Sequence, residues 1–523
     1  MTRAQTGVLA LDLGTSSVRA VVYDQRGRLV DPTFAEVPYQ LDTSTPGQAS
    51  SDADQLVDLI EGAIDTAVKA ARKEGLSIAA VAASCYWHSL MGVDRAGRPT
   101  TELLTWADTR SQPAAAALRA SSDEHGYHRR TGCYFHASFW PAKLRWLKAA
   151  RPAVFRETVR WVSLAEYLYG RFFPEAQVSI SIASGAGLLD VHRCRWDAQA
   201  LRLAGISSTA LSSIADWDAP ATGLRPAYAR RWPRLADLPW YLPVGDGALS
   251  NVGAGCLKPE WLCAMIGTSS ALRVVLETPD VEVPWGAFAY RLDRRRFVLG
   301  GALSEGGNVI RWLHKLLGFK KRTEAEAAVR TIPADSHGLT VLPFWAGERS
   351  PNWRGDVRGV ISGLSLSTRP EEVVRAAMEG ISLQIGQVYE AMRETTRRPR
   401  RVIATGGQLL HSNTWMQMLA DVLDVPVSAS AEPEASSRGA ALLALYALGR
   451  RPGLWRDQPR VGRTFHRRPA ARRAYAAAMK RQAELYQRVF DRLSRPEPQR
   501  RGTIKSQKAG SSKPSRQTLT PRN

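Results

Sequence analysis

The sequence predicts an α/β chain of two related domains facing one another. Two observations carry this expectation: a rhythm of strand, strand, helix and strand runs twice, and a Gly-Thr-Ser-Ser turn sits at the same place in both copies. The first copy, VLALDLGTSSVRAVVYD, spans Val8 to Asp24, and the second, WLCAMIGTSSALRVVLE, spans Trp261 to Glu277. At 523 residues the chain has room for both, since single cores stop growing beyond about 250–300 residues.

The elements follow in order. Val8 to Leu13 is a nearly all-apolar run ending at the first Gly-Thr turn, and Val18 to Tyr23 resumes β-branched character before Asp24-Gln25-Arg26-Gly27 turns the chain again, so two consecutive antiparallel strands are expected. From Asp52, the apolar Leu56, Leu59, Ile60, Ala63, Ile64 and Val68 recur at helical spacing, with Gly75 as a stop. Ile78 to Ala83 returns to a buried strand. In the second half, Leu262 to Ile266 and Ala271 to Leu276 flank the second turn, and Phe297 to Gly300 precedes a Gly306-Gly307 turn. Thr368-Arg369-Pro370-Glu371 fits a capping box with an early proline, opening a helix that carries Val373, Val374, Ala377 and Met378. Val402-Ile403-Ala404 reads as a strand, Thr405-Gly406-Gly407 as its turn, and Trp415 to Leu423 as the next helix.

Composition narrows the class. With 44% hydrophobic and 23% charged residues and no apolar run near the roughly 18 residues of a membrane span, the chain reads as soluble. MTRAQTG leads into a run broken by Asp12 rather than a signal peptide, so a cytoplasmic protein is expected. Five cysteines without a Cys-x-x-Cys pair argue for buried free thiols. The net charge of +22 invites a nucleic-acid reading, but eight Lys or Arg against one Glu fall between Arg495 and Asn523, a Ser-, Pro- and Gln-rich tail expected to be disordered. The remaining charge is spread without aromatic interleaving, and specific nucleic-acid binding is not expected.

A Gly-Thr-Ser-Ser turn can aim backbone N–H groups and hydroxyls at an anion. One copy is an ordinary hairpin; two, in equivalent places, could grip a polyphosphate from both sides. Only the first has an aspartate two residues before its glycine, and Asp12 could there hold Mg2+ through hard oxygen chemistry, with Arg19 reaching the phosphates. There is no P-loop, and neither Gly245-Asp246-Gly247 nor Gly185-Ala186-Gly187 reaches the third glycine of a dinucleotide fingerprint.

The ordered set LDLGTSSVRA, TWADTR, VGDGALSNVGAGC, MIGTSS, VLPFWAGERSPNW, GLSLSTRPEEVVRAAMEGISLQ, ATGGQLLHSNTWMQMLADVL and EPEASSRGAALLAL resembles the FGGY carbohydrate kinases over about residues 7 to 450. TGCYFHASFWPAKLRWL and WHSLMGVD are most similar to its gluconate-kinase-like branch. The resemblance implies two actin-like, ribonuclease-H-like domains, a sugar-binding one over 7–255 and a nucleotide-binding one over 256–490, with the basic tail at 491–523. It also implies ATP-dependent phosphorylation of a sugar, sugar acid or polyol hydroxyl in the cleft between them, with gluconate as the expected acceptor.

Carried onto this sequence, the resemblance makes Asp246 the general base, with its flanking glycines admitting the substrate, and Trp87, His88 and Asn251 its companions at the sugar. Gly14, Thr15 and Ser16 with Asp12 and Arg19, and Gly267 with Thr268, become phosphate contacts; Gly406, Gly407 and Asn413 face the adenosine. Trp106, Asp108 and Arg110 either touch substrate or brace a loop, and Gly439 with its alanines serves helix packing. Two alternatives stay open: a xylulokinase or other ketose or polyol kinase, and a catalytically silent binding protein on the same fold. A homodimer is the default oligomer.

Overall fold

The computed structural model describes residues 6–396 and 399–491; the basic tail lies outside them. Two seven-stranded sheets are each built around one of the repeated hairpins. In the first, Thr6–Leu13 and Ser17–Asp24 pair antiparallel, Ala35–Pro38 continues antiparallel on the outside, and Ser77–Cys85 adds parallel on the other flank. Trp240–Tyr241 and Val244–Gly245 also pair parallel with Ser77–Cys85. The second sheet repeats the plan: Trp261–Ile266 pairs antiparallel with Ser270–Glu277, Arg296–Leu303 continues outside, and Arg401–Thr405 and Val427–Ser430 add parallel on the far flank. This is the two-domain α/β architecture expected of actin-like domains.

The crossover helices obey the periodicity of their apolar faces. Ala53–Lys73 buries Leu56, Ile60, Ala63 and Ile64 and opens on Asp52, whose side chain accepts the Gln55 N–H at 3.0 Å. Pro370–Met392 starts one residue later than its capping box predicts. Arg369 is the cap and Glu372, not Glu371, accepts its backbone N–H at 2.9 Å, while Thr368 Oγ1 takes the Ser365 N–H instead. Gly306-Gly307 is no free turn: a helix, Gly307–Leu316, begins there, and a Cβ on Gly307 would lie 2.3 Å from Gln408. All five cysteines are buried free thiols. No described helix is long and apolar enough to cross a membrane.

One helix joins the two halves. Ala435–Ala447 follows the last parallel strand of the second sheet, yet Leu442, Leu443 and Leu445 belong to the core of the first. It packs against Asp246–Gly253, the helix that leaves the first sheet. Arg438 ties it down, donating to the carbonyls of Gly27 and Gly253.

Candidate active site

The two hairpin turns open on one cavity of about 320 Å3 between the sheets. Asp12, Gly14, Thr15, Ser16 and Arg19 line it from the first turn, Thr268 and Ser269 from the second, and Trp87, His88 and Asp246 from the floor. The glycines of the turns are not phosphate donors. Gly14 N–H donates to Ser17 O at 3.1 Å and Gly267 N–H to Ser269 O at 2.9 Å, so each glycine closes its own turn. The hydroxyls of Thr15, Ser16, Thr268 and Ser269, which make no hydrogen bond among the described residues, are among the groups left to meet an anion.

Asp12 is buried at the end of its strand, and its register partner across the hairpin is Arg19, whose Nη1 lies 3.2 Å from Asp12 Oδ2. Burial raises the Asp12 pKa, against the pull of Arg19. Arg19 also pairs with Glu36 at 2.8 Å and with Glu434, the cap of the helix Ala435–Ala447, at 3.5 Å. Its guanidinium is therefore held at the cavity wall by three carboxylates.

Asp246 is the first residue of its helix, following the strand Val244–Gly245. Its Oδ1 accepts the Gly247 N–H at 2.7 Å, and Oδ2 makes no hydrogen bond among the described residues. Burial and the negative charge of Asp12 push its pKa up to about 6, with Arg273 pulling against them. A carboxyl tuned that close to neutrality suits a general base.

The glycines around Asp246 have a purpose other than substrate clearance. The Trp87 ring fills the slot beside them: a Cβ on Gly245 would stand 1.9 Å from it, on Gly247 2.6 Å, and on Gly185 2.5 Å. Trp87 Nε1 donates to Ser181 O at 2.9 Å, locking the ring under Asp246. Gly245 and Gly247 of one Gly-x-Gly stretch and Gly185 of the other thus form a socket for one indole.

His88 stands next to it at a backbone φ of 72°, unusual for a residue with a side chain. Its Nδ1 lies 2.6 Å from Gly185 O, a carbonyl that can only accept, so Nδ1 carries the proton and Nε2 is left an acceptor. Burial and the adjacent Arg349 hold its pKa well below the usual range, so the ring is neutral. Lys143 Nζ donates to His88 O at 2.7 Å and Thr105 O at 2.8 Å, pinning the loop from below.

Several expected contacts fall elsewhere. Asn251 is fully buried on the helix Asp246–Gly253 and does not line the cavity; its Oδ1 accepts from Arg273 Nε at 3.4 Å, so it acts through that arginine. Gly406 has a φ of 84° and a Cβ there would lie 2.6 Å from Ile266 O, so backbone packing demands it, whereas a Cβ on Gly407 would make only an ordinary 3.8 Å contact with His411. Neither they nor the exposed Asn413 line the cavity; the two glycines follow the interior strand Arg401–Thr405 of the second sheet. Asp108 and Arg110 are a brace: Arg110 forks onto Asp108 at 2.7 and 3.1 Å while Asp108 takes the Ala49 N–H, and only Trp106 of that stretch reaches the cavity. Arg273, Tyr290 and Arg349 line it without having been singled out in the sequence.

A cleft whose two walls carry facing donor turns, with a recessed carboxyl poised near neutrality between them, defines a two-domain phosphotransferase. The model of the FGGY carbohydrate kinase N-terminal domain matches residues 7–253 and that of the C-terminal domain residues 262–448. The chain belongs to the FGGY family of carbohydrate kinases. It is 29% identical to the gluconokinase of Bacillus subtilis (strain 168) over 476 residues, 88% of this chain and 91% of that one. Among solved structures it resembles gluconate kinase from Lactobacillus acidophilus, with a TM-score of 0.85 and 25% identity over 94% of this chain and 100% of the other. A ligand-bound xylulose kinase from Lactobacillus acidophilus is similar to the same extent, with a TM-score of 0.85 and 26% identity over 94% of this chain and 100% of the other.

Proposed function

We propose that this carbohydrate kinase transfers the γ-phosphoryl group of ATP to a hydroxyl of gluconate, with Asp246 as general base. The observation that carries the chemistry is the Asp246 carboxyl, its pKa near 6 and its Oδ2 unengaged, in the same cavity as both turns. The acceptor hydroxyl hydrogen-bonds Oδ2, which orients its lone pair and takes its proton as the O–P bond forms. Trp87 beneath supplies a flat apolar wall, and neutral His88 fixes the acceptor's orientation. Thr15, Ser16, Thr268 and Ser269 hold the phosphates in line from two sides. Positioning and charge stabilisation do most of the work of phosphoryl transfer, and this arrangement supplies both.

No group of three His, Cys, Asp or Glu able to hold a metal occurs among the described residues. Mg2+ needs no such cage beside a nucleotide, since phosphate oxygens and water complete its shell around one or two carboxylates, and Asp12 fits that requirement. Bound there with ATP, it would neutralise phosphate charge. Gluconate as acceptor is supported by the gluconokinase relative and the gluconate kinase neighbour. A ketose kinase is the second reading, favoured by the equally similar xylulose kinase structure. Cytoplasmic residence and a homodimer belong to the same proposal.

The test is a panel of gluconate, ketoses and polyols with ATP consumption and product position measured together. Turnover of gluconate above xylulose supports the reading, preference for a ketose selects the second, and a folded protein that phosphorylates none of them overturns both.

A further inference from the structure

Arg349, Arg273 and Arg291 are the buried arginines without a carboxylate partner among the described residues: Arg291 donates to backbone carbonyls, Arg273 reaches Asn251 Oδ1 at 3.4 Å, and Arg349 has neither. Arg375 pairs with Glu379 at 2.6 Å and Arg296 with Asp293 at 2.7 Å, as burial of a charge demands. Arg349 is only 7% exposed, and its Nε has no partner. Its side-chain hydrogen bond among the described residues is a 3.4 Å contact from Nη2 to Nε2 of the neutral His88. Trp106 and Trp353 flank the guanidinium, with ring centroids at 5.3 and 5.6 Å. Glu305, which acts on it electrostatically, has a pKa that burial pushes well up, so it offers little countercharge. Tyr290, also lining the cavity, has a buried hydroxyl with no partner.

These groups lie at the Trp87–His88 end of the cavity, on the acceptor's side rather than at the phosphate turns. The Asp246 carboxylate also acts on Arg349, without an ion pair between them, so with a neutral polyol bound there the guanidinium would have no carboxylate in hydrogen-bond reach. A carboxylate would neutralise it and accept two parallel N–H bonds from its fork, the geometry in which arginine outperforms lysine.

We propose that Arg349 anchors a carboxylate on the phosphoryl acceptor, so that the site takes polyhydroxy acids in preference to their neutral counterparts. This rests on the gluconate reading and names the residue that recognises the acid group.

The test compares calorimetric binding of D-gluconate and of D-gluconamide, its neutral amide, to the full chain. Wild type should prefer the acid by roughly 10- to 100-fold, the discrimination given by hydrogen bonds to a charged group. Arg349→Gln should collapse that preference to within about threefold, and Arg349→Lys should retain part of it. Equal wild-type binding of acid and amide overturns the proposal, and this arm needs no variant to fold. So does a preference that survives in Arg349→Gln, or a KM for ATP that rises in that variant as much as the KM for gluconate, which would make Arg349 a phosphate clamp. Failure of the gluconate reading looks different: a wild-type enzyme that turns over a ketose and not gluconate.

Discussion

Gly439 and Leu249 meet backbone to backbone: a Cβ on Gly439 would stand 2.2 Å from the Leu249 carbonyl oxygen. A second such approach, Gly253 to the Ala435 carbonyl, lies along the same pair of helices, so the helix that begins at Asp246 is seated directly on one arriving from the other end of the chain.

Gly439→Ala should therefore act at a distance. Forcing the helices apart lowers stability by about 1–3 kcal/mol, the usual cost of overpacking, and moves Asp246 relative to the acceptor. Denaturant unfolding measures the first effect, and a fall in kcat at unchanged ATP affinity measures the second.

Asp246→Asn keeps the shape of the side chain and removes the base. The expected loss in kcat is roughly 100- to 10,000-fold, the range for a positioned acid–base group, with acceptor binding retained. A variant with normal turnover would remove Asp246 from this role.

The rate should also depend on pH through the same carboxyl. The base works deprotonated, so kcat/KM is full above its pKa of about 6 and is lost as pH falls through it. Arg273 holds that pKa down, so Arg273→Gln should move the acid limb to higher pH; Asp12 pushes it up, so Asp12→Asn should move the limb to lower pH. A pH–rate profile of the three proteins reads both signs.

Asp12→Asn should separately weaken the use of magnesium. A Mg2+ titration at fixed ATP should show half-saturation shifted upward and kcat/KM for MgATP reduced by roughly 100- to 1,000-fold, the scale of losing one charge-stabilising contact.

Arg110→Lys tests the brace. Losing the fork onto Asp108 should cost about 1–3 kcal/mol of stability, while KM for the acceptor stays near the wild-type value. A large KM change with stability intact would make Arg110 a substrate contact.

The parts of the site legible in the sequence are those written in short contiguous motifs. The two turns, Asp12 and Asp246 each sit where a strand ends, and strand ends are visible in local patterning. Arg349, Arg273 and Tyr290 were not legible, because each comes from a different element and their convergence is a product of tertiary packing. The same limit explains the misassigned glycines: Gly245 and Gly247 stand beside a reactive carboxyl in sequence, but the ring that requires their small size is Trp87, in the turn after the strand Ser77–Cys85. Gly14 and Gly267 lie in the phosphate turns, yet their N–H groups are spent on closing those turns. Helix Ala435–Ala447 reads as a buried helix from its composition alone, and nothing in it states which sheet it covers.

That helix sets an order on the making of the protein. The first sheet emerges from the ribosome early, but Leu442, Leu443 and Leu445, which cover part of its core, are translated only after the whole second sheet apart from its last strand. Until then the nascent amino-terminal half carries an open apolar face, a site for chaperone capture or aggregation. The amino-terminal half alone lacks that cover, and a fragment ending near residue 255 should be insoluble where the full chain is not.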